Sequence, residues 1–325
     1  MQANIMMKDD LRAEVEATSG GKQTILRTAK GQASYFNVIR RSDLEVLHPS
    51  LGTGPHPAFV VSGVEKSELF IATYQAVVRD GEAISLPRQD PTININFDSA
   101  RSACLAAGPG FHLFTNWEWA LIGYLAAAAG NDVRGNTDWG KSHTHPEERG
   151  ATAKGTNRTL TGSGPDTWRH DGTPHGIADL VGNVWEWVDG LKLVSGQIIM
   201  PADNNFSLAE AEWPTTGVCI DLVNGEPVIA SEVTKRGWNG RYFNDVVSAK
   251  GFEVPTSIKQ ALLCPTEGSQ VPGYYWADNT EGFEALPIRG GNWYGPSNAG
   301  LAALNLYYQR SIVTTNFGFR PAFIG

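Results

Sequence analysis

Imidazoles and carboxylates gather between residues 131 and 176, where His143, His145, Glu147, Glu148, His170, Asp171 and His175 fall. Such donors hold zinc and related ions when their spacing lets three or four converge on one point. Here the spacing is irregular and the stretch is rich in Gly, Asn, Asp and Thr, so these side chains read as solvated loop residues and no metal site is expected. A second candidate is Glu186, set between Trp185 and Trp187. In a strand the two indoles share one face and Glu186 shares the other with Val184. A carboxylate so placed either works as an acid or base or accepts from a buried donor, because burying it bare is costly. The structural role, with backbone or an arginine as the donor, is the expectation. Cys104, Cys219 and Cys264 form no CxxC or other metal spacing, and an odd, sparse set makes no disulfide framework. They are expected to be reduced and structural, and no catalytic residue is assigned.

The chemistry that remains is recognition. From Ile288 to Gly325 the chain holds no Asp, Glu, Lys or His, and its only charges are Arg289, Arg310 and Arg320. Protein-binding surfaces are depleted in Lys, Glu and Asp and enriched in Tyr, Trp and Arg. Composition leaves two readings of this stretch open, a display surface held between anchors or the last strands of a core.

The elements that must position these residues are short. The 325 residues are 41% hydrophobic and 18% charged, a globular composition with room for a sizeable core in one large domain or two modest ones. With 36 glycines and 10 tryptophans, many turns and large aromatics point to loops and short strands rather than a helical bundle. A net charge of -8 argues against nucleic acid or an anionic membrane as partner. No stretch approaches the roughly 20 apolar residues of a membrane span. The N-terminus has no apolar run behind positive charge, so no secretory signal is expected. The expectation is a protein soluble when made that reaches a cell exterior, if it does, by another route such as assembly into a virus particle.

Residues 1–22 are polar and fit a short helix or loose chain equally. Residues 23–50 read as short strands and turns, and His56 to Val78 as a hairpin. Two helices are well punctuated. Asp98 is placed as the cap of the first, with Gly108 as its stop. Thr115 and Glu118 form a capping box that opens the second. That second helix carries Trp117, Ala120, Leu121 and Tyr124 on one face as core and ends at Gly130. Residues 190–285 read as a long irregular insertion without a core of its own. The fold class is α+β.

Four stretches then match a known pattern in order: PTININFDSARSACLAAGPGFHLFTNWEWALI, HGIADLVGNVWEWVDG, IRGGNW and GFRPA. The chain resembles the formylglycine-generating-enzyme (sulfatase-modifying factor) branch of the C-type lectin fold over about residues 56–187 and 286–323. Within it, HPAFVV, SGVEK, LPRQDP, GPGFHLFTNWEWA and the tail RGGNW, SNAG, ALNL, RS and GFRPA are most similar to variable proteins of diversity-generating retroelements. In those systems a reverse transcriptase miscopies adenines, so that selected codons scatter. The resemblance implies a lectin-fold domain over 51–325 and a variable, ligand-binding region over about 292–319. It implies variation at Tyr294, Gly295, Tyr307, Tyr308, Ile312, Thr314 and Phe317, with Ser297 and Val313 beside them. Asn316 fits an unmutated template codon, and Gln309 is not reachable from one. The frame would be Gly290, Gly291, Trp293, Arg310, Gly318 and Arg320, together with Trp185, Glu186 and Trp187. Trp293, Leu301, Leu304 and Leu306 would pack inward, and an arginine would meet Glu186. Adjacent Tyr307 and Tyr308 cannot share one face of a regular strand, so a bulge or a buried tyrosine is required there. Residues 1–50 are placed, by position alone, as an extension for attachment or oligomerisation.

The resemblance also names rivals. A copper oxidase of the formylglycine-generating type needs a cysteine pair in the C-terminal segment, and none stands from Ile288 onward, while Cys264 lies outside it. The iron-dependent sulfoxide synthase relatives need a helical, histidine-rich domain that is not here. The Glu-Pro-Asn and Gln-Pro-Asp motifs of calcium lectins are missing, and Gln89-Asp90-Pro91 has the wrong order. The expected function is non-enzymatic binding of a protein or glycan ligand on a cell or particle surface, strengthened by display in many copies or by homo-oligomers. No cofactor is assigned, and the relatives leave room for a structural calcium.

Overall fold

A computed structural model describes residues 9–268 and 270–325. Two sheets carry the architecture, which is mixed α+β with few helices. The smaller sheet is antiparallel, in the order Gln23–Arg27, Ala33–Arg40, Glu68–Ala72, Pro321–Phe323 and Phe111–Leu113. Its first two strands come from the stretch expected to be an extension. Their alternating apolar residues, such as Ile25 and Phe36, are buried, so the pattern that makes them strands also builds them into the domain. Ahead of them the helix Asp10–Thr18 is capped by Asp9, buries none of its residues, and is tied back by an Arg27–Asp9 ion pair of 2.9 Å. Residues 1–8 of the expected extension lie outside the described residues.

The larger sheet runs Glu226–Ala230, Thr215–Val223, Gln197–Ile199, Lys192–Val194, Glu284–Gly290, Gly300–Tyr308, Tyr274–Asp278 and Trp238–Tyr242. The Trp185–Trp187 strand pairs with Glu284–Gly290 and, in parallel, with Phe317–Phe319. Residues 190–285 therefore extend the sheet that holds the C-terminal strands. Leu193, Ile198, Val218 and Ile220 share one core with Trp117 and Leu121, as expected of a segment without its own core. The expected hairpin over His56–Val78 shrinks to Val60–Val61 against Val64–Glu65, because Glu68–Ala72 pairs with Ala33–Arg40 instead.

Both expected helices form. Phe97–Ala106 is capped by Asn96, whose side chain accepts from Ser99 N, and not by Asp98, which falls in the first turn. Asn116–Ala128 has both bonds of the Thr115–Glu118 capping box. It is buried almost all round rather than on one face, since it threads between the sheets with Trp117 and Trp119 each 1% exposed. Glu118 also meets His112 Nε2 at 2.8 Å and Asn204 Nδ2 at 3.0 Å, so its buried carboxylate is satisfied.

The frame of the C-terminal segment closes on Glu186, which is 1% exposed. Arg320 grips it with Nε at 2.6 Å and Nη2 at 2.5 Å, and Gln75 Nε2 adds a third bond at 3.1 Å. The remaining guanidinium donors of Arg320 reach the carbonyls of Ala72 and Ala178. A buried pair holds when geometry and extra hydrogen bonds satisfy both ions, and this one meets that condition. At Gly290 and Gly291 φ is +92° and +98°, and a Cβ would stand 2.4 Å from Leu180 O and from Ala299 Cβ respectively. Only glycine fits there, so the chain turns out of the sheet at a defined point.

Candidate functional site

Two loops leave this frame, 291–299 and 309–316. The first starts at the glycine pair and is pinned by backbone bonds from Trp293 N to Asn183 O and from Trp139 N to Trp293 O. Asn292 Oδ1 accepts from Tyr294 N and shapes the turn. The second starts at Arg310, which reaches Asp98, Glu210 and Glu284 at 2.8–2.9 Å and lies over the Phe97 ring. It is held further by bonds from Asn94 N to Thr314 O and from Phe97 N to Arg310 O. Backbone atoms and scaffold arginines make these anchors, not the side chains at the loop tips.

Of the residues expected to face outward, Tyr294 and Val313 are exposed at 46% and 57%. Ser297 is exposed, and Gly295, Tyr307, Tyr308, Ile312 and Thr314 are half-buried. Phe317 is the correction. It is 1% exposed, sits in the Phe317–Phe319 strand, and packs edge-on against Trp187 at 5.3 Å. Parallel pairing with Trp185–Trp187 turns its side chain into the core. Trp293 differs as well. Leu301, Leu304 and Leu306 are buried, but Trp293 lies half-buried in a surface cluster, 4.5 Å from Trp139 and 4.6 Å from Tyr294 between ring centres. Ile312 is partly spent on packing against the Trp187–Phe317 cluster.

The tyrosine pair is resolved by a bulge. Leu286 stands opposite Tyr308 and Ile288 opposite Asn305, so two steps on one strand face three on the other. Tyr307 thereby turns to Trp238 at 5.1 Å, while Tyr308 lies over Phe317 at 4.9 Å. Burial raises the Tyr308 hydroxyl above its usual pKa, and the neighbouring Tyr294 and Tyr307 push the same way.

Sequence reasoning missed half of this surface. Trp238 and Tyr242 on one strand, and Tyr274 and Trp276 on the next, lie in the supposed insertion. They form a continuous aromatic run: Tyr242 to Tyr274 at 5.2 Å, Tyr274 to Trp276 at 4.8 Å and Trp238 to Trp276 at 6.4 Å. Gly240 stands opposite Trp276 in the pairing, and a Cβ there would meet the Tyr274 and Trp276 rings at 2.4 Å and 2.7 Å. The signal was present. Trp-x-Gly-x-Tyr and Tyr-Tyr-Trp both have period two, with buried Tyr275 marking the inward face.

Where the aromatic run meets the two loops there is a cavity of about 240 Å³. Trp185, Trp276, Tyr294 and Tyr308 supply rings around it, and Gly295 completes the wall. Asn292, Asn298, Asn305 and Asn316 supply amides. Asn316 Nδ2 donates to the Tyr294 hydroxyl at 2.8 Å, and the Thr314 hydroxyl donates to Asn316 Oδ1. Asn305 is 7% exposed and its Oδ1 has no partner. None of the nine lining residues carries a formal charge.

The histidine-rich stretch does not converge. His143 bonds to Thr137, Glu148 pairs with Arg134 at 2.7 Å, and Asp171 pairs with Lys22 at 2.9 Å. His170 is buried, accepts from Ile177 N, and is pushed down to about 4 by burial. Among the described residues no three His, Cys, Asp or Glu stand where they could hold a metal ion. All three cysteines are free and buried. No described helix is long and apolar enough to cross a membrane.

Fold and site together define an α+β protein with a cavity of uncharged aromatic rings and amides between two loops anchored by glycines, backbone bonds and Arg310. No protein-family model matches the chain, and no curated protein matches it in sequence. Among solved structures it is similar to the Major Tropism Determinant U1 variant, at 13% identity and a TM-score of 0.33, over 90% of this chain and 58% of that one. It is also similar to Treponema denticola variable protein 1, at 13% identity and 0.34, over 93% and 98% of the two chains. PvdO from Pseudomonas aeruginosa is a third, at 14% identity and 0.37, over 92% and 97%. The chain thus spans a little over half the length of the tropism determinant.

Proposed function

We propose that this is a non-enzymatic ligand-binding protein of the C-type lectin fold, of the receptor or tropism type, whose C-terminal surface is diversified by a retroelement. One observation carries the reading. The side chains at the loop tips are exposed or half-buried, whereas the loops are fixed by glycines, backbone bonds and Arg310. Side chains that contribute little to folding can be exchanged without loss of the fold, which has only about 5–15 kcal/mol of stability to lose. The set open to exchange is Tyr294, Gly295, Ser297, Tyr307, Tyr308, Ile312, Val313 and Thr314, with Phe317 removed. The ligand is a protein or glycan on another cell or particle, met by preorganised rings that lose little entropy on binding. The attachment role narrows to the residues ahead of Gln23.

Replacing Tyr294, Tyr307 and Val313 by Ser, with Trp238→Ala, tests it. The melting temperature is expected to stay within about 5 °C of the parent, while capture of cells or particles changes. Unfolding of this variant refutes the reading. The diversification has its own check: a near-repeat of the DNA encoding Trp293 to Phe319, differing mainly at adenines and lying beside a reverse transcriptase gene.

A further inference from the structure

We infer that the asparagine-lined cavity at the centre of the surface is a subsite for one neutral saccharide ring, an inference that rests on the ligand-binding reading and names the chemistry of its central contact. An amide carries a donor and an acceptor in one plane, and so answers the hydroxyl pairs of a sugar, each of which donates and accepts. Four such amides ring this cavity. Asn316 and the Asn292 oxygen already have partners within the chain, but an apolar side chain from a protein partner would leave Asn305 Oδ1 unpaired, whereas a ligand with polar atoms around its whole edge satisfies it. The rings of Trp276, Tyr294 and Tyr308 offer apolar faces to the C–H faces of the same sugar.

Asn305 is the sharpest pointer. It lies on the Gly300–Tyr308 strand directly across from Trp276, is 7% exposed, and leaves its buried Oδ1 without a partner. Native proteins rarely leave such an atom orphaned unless a ligand or water completes it. The Tyr294 hydroxyl accepts from Asn316, which leaves its own proton free to donate. At about 240 Å³ the cavity is small, and a single sugar ring rather than a chain is the unit assigned to it. With no lysine, arginine or histidine on the wall, nothing answers a carboxylate or sulfate, so acidic sugars are disfavoured.

The test titrates the full chain with glucose, galactose, mannose, N-acetylglucosamine and N-acetylgalactosamine, and with glucuronic and N-acetylneuraminic acids, by saturation-transfer NMR and tryptophan fluorescence. At least one neutral sugar is expected to bind in the millimolar range. Asn305→Leu should weaken it at least tenfold without lowering the melting temperature, and Asn298→Ala, on the loop, should weaken it independently. Val46→Ser, at an exposed residue outside the cavity wall, should leave it unchanged. Binding by none of the neutral sugars, stronger binding of an acidic one, or neutral binding indifferent to both asparagine variants overturns the assignment. Those results leave the ligand-binding reading standing, since the fourfold exchange above is scored by fold stability and by capture of cells or particles, without any free sugar.

Discussion

Two aromatic regions flank the same pair of central strands and meet opposite fates. On one side Phe97, Trp187 and Phe317 stack edge to face within 6.0 Å, and each is at most 1% exposed. On the other, Trp238 and Tyr242 are 57% and 50% exposed although their rings also touch neighbours. Residue type does not separate them. The first region is roofed by the helix Phe97–Ala106, and Trp187 Nε1 finds Ile95 O at 3.0 Å. The second has rings on one side and open surface on the other. Burial is decided by what covers a sheet face, and aromatics left uncovered stay at the surface.

The comparison breaks most sharply at the frame. Arg320→Met leaves Glu186 buried with only Gln75 as donor and should cost about 3–5 kcal/mol in urea denaturation. A loss under about 1 kcal/mol would show that the pair does not hold the segment. Phe317→Ala should cost about 3–5 kcal/mol by the same measurement, because it empties a site between Trp187 and Tyr308. Were Phe317 an exchangeable contact residue, the loss would be no greater than at Tyr294.

Acid should divide the regions next. Burial pushes His56 and His170 down to about 4, so both are neutral in the fold. Each contributes stability that is full above about 6.5 and lost as pH falls toward 4. Asp179 works against them. Burial raises it to about 6, so its protonation favours the fold as pH falls through that value. His143, also held down by burial, adds to the loss, and Asp189, also raised by burial, adds to the gain; the fold is expected to weaken as pH falls from 7 toward 4.5, because His56 and His170 are both shifted far down. The uncharged lining of the asparagine cavity has nothing that titrates in this window, so binding there should be flat until the fold fails. The smallest effect on stability belongs to the outer region. Trp238→Ala should cost under about 1 kcal/mol, yet change ligand capture and quench part of the surface tryptophan emission.

Much of the inner frame could be read from local pattern. Thr115 and Glu118 announce a helix start because their capping bonds are three residues apart, and the structure has both. Geometry required a bulge or a buried tyrosine at Tyr307-Tyr308, and the cost of a bare carboxylate required a backbone or arginine donor for Glu186; the structure has the bulge and Arg320. Local pattern misled where a distant partner decides. Phe317 looks like any aromatic at a loop end, and only its pairing with Trp185–Trp187 turns it inward. Residues 23–40 looked peripheral because the strand they pair with arrives from residues 68–72, which in turn pairs with 321–323.

By itself, the chain determined its caps, its turns at Gly290 and Gly291, its inward and outward alternation, and a C-terminal segment free of carboxylates and lysines. Each is a matter of backbone sterics or of neighbours within a few residues. Tertiary structure alone decided that the strands of Trp238 and Trp276 would lie beside that of Tyr307, and that four asparagines, Asn292 to Asn316, would share one cavity with Trp185. Sheet order joins segments as far apart as Trp187 and Ile288, and no local preference encodes which edge a strand will find.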